Sequence, residues 1–79
     1  MKVTLFSKGE CGLCLEAEDM LCRLGRRLTL ELEIVDIERD PALFERYRDR
    51  VPVVVVAGRE VASAPLDEDL LLDSLSASV

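Results

Sequence analysis

Within the first 28 residues the hydrophobic pattern changes period. Lys2 to Phe6 (K-V-T-L-F) is a short run of β-formers and reads as a strand. Ser7-Lys8-Gly9-Glu10 is a polar turn with a glycine. Beyond it Leu13, Ala17, Met20, Leu21, Leu24 and Leu28 fall on one stripe of a helix. Gly25 weakens or ends that helix. Glu16, Glu18 and Asp19 lie in its first half and Arg23, Arg26 and Arg27 at its end, an order that suits the helix dipole. Leu28 to Ile37 then alternates apolar and polar through Leu30, Leu32 and Ile34, the pattern of a second strand. Two strands joined by a helix are expected to lie parallel, with a right-handed crossover.

The remainder continues the alternation. Asp40-Pro41 has the form of an N-cap followed by proline at the first helical position. The short helix after it would bury Leu43, Phe44 and Tyr47. Val51 to Val56 (V-P-V-V-V-V) is a β-branched strand with a proline near its start. Ala57-Gly58 makes a turn, and Arg59 to Ala62 supplies a fourth strand in hairpin with the third. Leu66, Leu70, Leu71 and Leu75 form a last helical stripe, with Pro65 as its expected opening residue. The order is β-α-β-α-β-β-α. At 79 residues there is room for one compact domain, spanning 1–79.

Totals exclude several classes. The apolar run around Pro52, Val51 to Ala57, is far shorter than the roughly 20 residues of a membrane helix. Met1 to Phe6 turns polar too early for a signal peptide, so a cytoplasmic protein without membrane partners is expected. The net charge of −6 repels phosphate backbones, and three aromatic residues make no base-stacking platform, so nucleic acid is not an expected partner. The chain has no histidine, which removes Cys/His zinc sites and Ser-His-Asp or Cys-His nucleophiles together.

The chemistry that remains lies in Gly9-Glu10-Cys11-Gly12-Leu13-Cys14. Cys11 falls just before the first helix and Cys14 in its first turn. Free N–H groups and the positive end of the dipole favour a thiolate there. The thiolate is the species that attacks disulfides. Cys11, nearer the end of the helix, is the expected nucleophile. Cys14, one turn inside, is positioned to resolve the mixed disulfide. Lys8 would stabilise a Cys11 thiolate and Glu10 would oppose it. Cys22, beside Leu21, reads as a small core residue. A competing reading uses the same cysteines in a dimeric metal or iron–sulfur carrier, since two thiolates supply half of a four-cysteine site.

These features together resemble the glutaredoxin and thioredoxin superfamily. The likeness is closer to small glutaredoxin-like proteins whose site reads C-x-L-C followed by an acidic residue and alanine, here Cys11-Gly12-Leu13-Cys14-Leu15-Glu16-Ala17. Their second landmark appears as Leu43-Phe44-Glu45-Arg46-Tyr47 and Val51-Pro52-Val53. The resemblance implies a thioredoxin-like α/β fold, a four-stranded mixed sheet with helices on both faces. It implies a cis Pro52 beside the cysteines and a Val51 backbone that pairs with an incoming peptide or glutathione strand. It implies dithiol–disulfide exchange by a monomer without bound cofactor, acting on a protein disulfide or a small thiol compound. Electrons would come from an external thiol reductant, glutathione or a reductase. Three departures stand out. Gly12-Leu13 replaces the Pro-Tyr of classical glutaredoxins, Arg50 replaces a threonine, and Ala62-Ser63-Ala64-Pro65 lacks the glycine pair of the glutathione site. Lys8 matches a lysine ahead of the glutaredoxin pair, and Arg50 offers a second cation for an anionic thiol.

Overall fold

The computed structural model describes residues 1–77. Its elements are β1 (Lys2–Ser7), α1 (Gly12–Leu24), β2 (Glu31–Asp36), a 3-10 turn (Ile37–Arg39), α2 (Pro41–Tyr47), β3 (Val53–Val56), β4 (Arg59–Ser63) and α3 (Glu68–Ala77). The sheet order is β2-β1-β3-β4. β1 pairs parallel with β2 and antiparallel with β3, and β3 pairs antiparallel with β4. This is the mixed four-stranded sheet with three helices expected of a thioredoxin-like chain.

The register explains which helix covers which face. Alternate residues of a strand point to opposite sides. Val3 pairs with Val56 and Leu5 with Val54, so these four share a side. They pack with Ala17, Leu21 and Leu24 of α1 and Leu71 and Leu75 of α3. Phe6 pairs with Val53 and Thr4 with Val55, on the other side. There Val53 packs with Ile37 and with Tyr47 of α2, and Phe6 and Val55 flank them. Each fully buried leucine or valine contributes on the order of 1.5–3 kcal/mol, so the chain depends on covering both faces.

Local chemistry sets the boundaries. Asp40 caps α2 by accepting from the N–H groups of Ala42 and Leu43, with Pro41 in the first turn, as its sequence implied. α3 starts later than expected. Asp67, not Pro65, precedes it, and its Oδ1 accepts from the N–H groups of Asp69 and Leu70. Pro65 instead follows Ala64 through a cis bond. β2 begins at Glu31 rather than Leu28, because the chain leaves α1 through turns that end in Leu28 N–H donating to Leu24 O. Leu28 and Leu30 still pack on the core. Ile34 does not, being 46% exposed on the edge strand β2.

The α1 stripe is rotated from its expected position. The buried residues are Cys14, Ala17, Leu21 and Leu24, while Leu13 is 54% exposed. Cys22 is exposed as well, contrary to the core role read from its neighbour Leu21. Adjacent helical positions differ by about 100° around the axis, so a residue beside a buried one faces elsewhere.

Candidate functional site

The site is built where β1 hands over to α1. The intervening loop is held from outside: Gly9 N–H donates to Glu38 Oε1 at 2.8 Å, across from the 3-10 turn. A Cβ on Gly9 would approach that oxygen to 3.1 Å, so a glycine suits the contact. Glu10 follows at φ 55°, in the left-handed region, and Cys11 returns to extended backbone at φ −117°.

Cys11 is the N-cap of α1. Its Sγ accepts from Cys14 N–H at 3.2 Å, and its carbonyl accepts from Leu15 N–H. A sulfur takes the place that serine or aspartate oxygen takes in most caps. A thiolate accepts such a bond more strongly than a thiol does. No acidic side chain sits in the first turn of α1, although Glu10 directly precedes Cys11.

The two sulfurs meet different surroundings. Cys11 is half-buried and Cys14 buried. Burial pushes the Cys14 thiol up to about 11, and the hydrogen bond with Cys11 and the charge on that sulfur act in the same direction. A backbone hydrogen bond from Lys8 and its charge pull the other way without prevailing. Cys14 therefore stays a thiol at neutral pH until something changes around it.

Cys14 belongs to the α2 side of the core, with Ile37, Tyr47, Val51 and Val53, and Cys11 packs against the same group. That contact brings the Val51-Pro52 segment to the cysteines. The Val51–Pro52 bond is cis, as the resemblance implied, and Pro52 is buried. Pro52 O accepts from Ala64 N–H at 3.0 Å. Val51 N–H donates to Tyr47 O at 3.0 Å, so the donor expected to meet an incoming strand already has a partner inside the molecule.

The two expected cations are placed differently. Lys8 is half-buried near Cys14, and its Nζ donates to Arg48 O at 3.0 Å. Arg50 pairs with Glu60 of β4 and lies 5.8 Å from the centre of the Tyr47 ring. That ring also stacks on Phe6 at 4.8 Å and carries Arg46 at 5.3 Å. Glu38 and Glu60 were not singled out by their sequence neighbourhoods. Each acts on a residue far away in the chain, a relation that local spacing does not encode. Among the described residues, no group of three or more histidine, cysteine or carboxylate side chains is arranged to hold a metal ion. Among the described residues, too, no helix is long and apolar enough to cross a membrane.

Comparison with known proteins agrees with this geometry. Target protein XcR50 from X. campestris is 34% identical, with a TM-score of 0.81 over 95% of this chain and 96% of its own. Thioredoxin 1 from Thermosipho africanus shares the fold at 14% identity, with a TM-score of 0.73 over 99% of this chain and 93% of its own. An uncharacterized protein of Mycobacterium tuberculosis, Rv0508, is 27% identical across 98% of this chain and 84% of its own length. A glutaredoxin-like thioredoxin fold of this kind supports a redox-type function. The model of the glutaredoxin-like domain (DUF836) matches residues 2–76, and the chain belongs to that family.

Proposed function

We propose that the protein is a dithiol–disulfide oxidoreductase in which Cys11 attacks and Cys14 resolves. One observation carries this division of roles. Cys11 Sγ sits at the helix N-terminus and accepts an N–H, while Cys14 lies buried behind it with its thiol raised to about 11. The Cys11 thiolate attacks one sulfur of a substrate disulfide. A Cys11–substrate bond forms, the substrate S–S bond breaks, and the leaving thiolate takes a proton from water. Cys14 then gives up its proton and attacks Cys11 Sγ. The Cys11–Cys14 disulfide forms and the second substrate thiol departs. Two electrons pass from the pair to the substrate, and an external thiol reductant restores the pair.

In this reading Val51 and Pro52 shape the wall against which substrate lies. With the Val51 N–H already bonded to Tyr47, its carbonyl is the group left to meet an extended strand. Lys8 holds the loop to α2 through Arg48 O and places positive charge near the pair. Arg50 contributes indirectly, through Tyr47 and Glu60, rather than as a ligand. No bound cofactor takes part. The protein acts as a monomer in the cytoplasm.

The test is trapping. Reduced Cys14→Ser should accumulate a stable mixed disulfide with hydroxyethyl disulfide, read by mass. In a Cys22→Ser background, which removes the exposed third thiol, Cys11→Ser should accumulate none and should lose turnover. Full activity in Cys11→Ser would overturn the assignment.

A further inference from the structure

We infer that the groove leading from the cysteines toward α3 takes an extended polypeptide disulfide with an apolar residue and a cation beside its cysteine, in preference to glutathione. This rests on the dithiol reading above and names the substrate class of that same site.

The groove begins as a slot of about 60 Å³ between α1 and the Ala64–Pro65 segment. Leu13, Met20, Pro52, Pro65 and Leu66 line it, with Glu16 on its border. It shares Pro65 and Leu66 with a second cavity of about 400 Å³, which extends along α3 to Leu70, Asp67 and Asp73. Leu13 lies between the two cysteines in sequence and is 54% exposed; Leu70, on the outer cavity, is 67% exposed. The slot thus meets the cysteine pair through Leu13, which lies between the two cysteines, and through Pro52, next to the Val51 that packs with them, and its lining is mostly apolar.

The charged side chains that line the two cavities have one sign. Glu16, Asp67 and Asp73 line the two cavities, and among the described residues no lysine or arginine does. Glutathione carries two carboxylates and needs donors or cations to hold them. Some donors of this segment are missing or taken. Pro65 has no N–H. Ala64 N–H is given to Pro52 O, and Asp69 and Leu70 N–H are given to Asp67 Oδ1. Three cations on neighbouring elements have partners: Arg23 pairs with Glu68, Arg50 with Glu60, and Lys8 donates to Arg48 O. A glutathione carboxylate placed here would meet carboxylates, whereas a lysine or arginine of a peptide would be attracted.

The experiment compares three probes that share one leaving group. Each is joined by a disulfide to 5-thio-2-nitrobenzoate. The first is a short peptide with leucine next to its cysteine and lysine two residues on. The second has serine and glutamate at those places, and the third is glutathione. Release of the coloured thiol by reduced Cys22→Ser protein, which lacks the exposed third thiol, should at low salt be about fivefold or more faster for the first than for either other probe. The margin should narrow as salt is added. In the Glu16→Lys/Asp73→Lys variant the ratio of the two peptide rates should fall severalfold. Equal rates for all three probes, or a faster rate for glutathione, would overturn this inference and leave the dithiol reading standing. An unchanged ratio in the charge-reversed variant would overturn the role of the carboxylates. Release from no probe would overturn the dithiol reading itself, and this inference with it.

Discussion

The two faces of the sheet are built from different materials. The face under α1 and α3 is aliphatic: Val3, Leu5, Leu21, Leu24, Leu71 and Leu75 meet with no buried polar side chain among them. The face under α2 is smaller and mixed. Tyr47 stacks on Phe6, two guanidinium groups lie over its ring, and Cys14 is one of the buried residues. The first face supplies apolar burial in bulk, and the second supports the reactive pair. Burial on the second face also has a chemical effect, because it raises Cys14, whereas burial on the first meets no ionisable group. Bulk apolar burial on one face is thus set apart from the surroundings of the cysteine pair on the other.

The sharpest way to break that comparison is a large cavity on the aliphatic face. Leu71→Ala should lower unfolding stability by about 2–5 kcal/mol in a denaturant titration. The reduction potential of the Cys11–Cys14 pair, measured under conditions where the variant is still folded, should hardly move. A shift of tens of millivolts would show that the faces are coupled.

Tyr47→Leu probes the other side. Loss of the stacked pair and of the two cation contacts should cost about 1–2 kcal/mol. Because Tyr47 helps to bury Cys14, alkylation of Cys14 by iodoacetamide should quicken in the folded variant relative to the parent. The measurement is cleanest in a Cys22→Ser background, since Cys22 is exposed and would react as well. Unchanged Cys14 alkylation would remove Tyr47 from the site.

The raised Cys14 thiol makes a prediction with a definite sign. Its ordinary value is 9.0, and in the folded, reduced protein it lies near 11. Below pH 9 folded and unfolded chains both hold the proton, and the full stability is present. Between pH 9 and 11 the unfolded chain releases it first, so stability falls as pH rises to and through the folded value. Thermal midpoints of the reduced protein should decline over that window. Cys14→Ser should lose this part of the decline, and an identical slope in the variant would contradict the assignment.

The smallest effect lies far from either face. Ala57 and Gly58 both have positive φ in the β3–β4 turn, at 53° and 77°. Alanine is strained there, and asparagine tolerates the left-handed region. Ala57→Asn should raise stability by about 0.5–1 kcal/mol without changing peptide-disulfide reduction.

Much of the fold was legible because its cues are local. The order of strands and helices followed from changes in apolar period, and the Asp40-Pro41 cap was visible as two adjacent residues. Cys11 and Cys14 were placed at a helix start by the same means. Errors arose where packing chose between neighbouring positions. The α1 stripe was read with Leu13 inside and is buried through Cys14 instead. Cys22 was read as core from its neighbour Leu21 and is exposed. Pro65 looked like a helix opener, but Asp67 has the side chain that accepts the first free N–H groups.

The element order, the pair of thiols at a helix N-terminus and the family can all be read from the order of residues. These depend on residue type and spacing within a few positions of each other. Folding in three dimensions settles the rest: which sulfur is buried, that Arg50 is held by Glu60, that Glu38 ties down the loop before Cys11, and that carboxylates border the apolar cavities along α1 and α3. Each of those joins segments distant in the chain, and such contacts arise only once both faces of the sheet are covered.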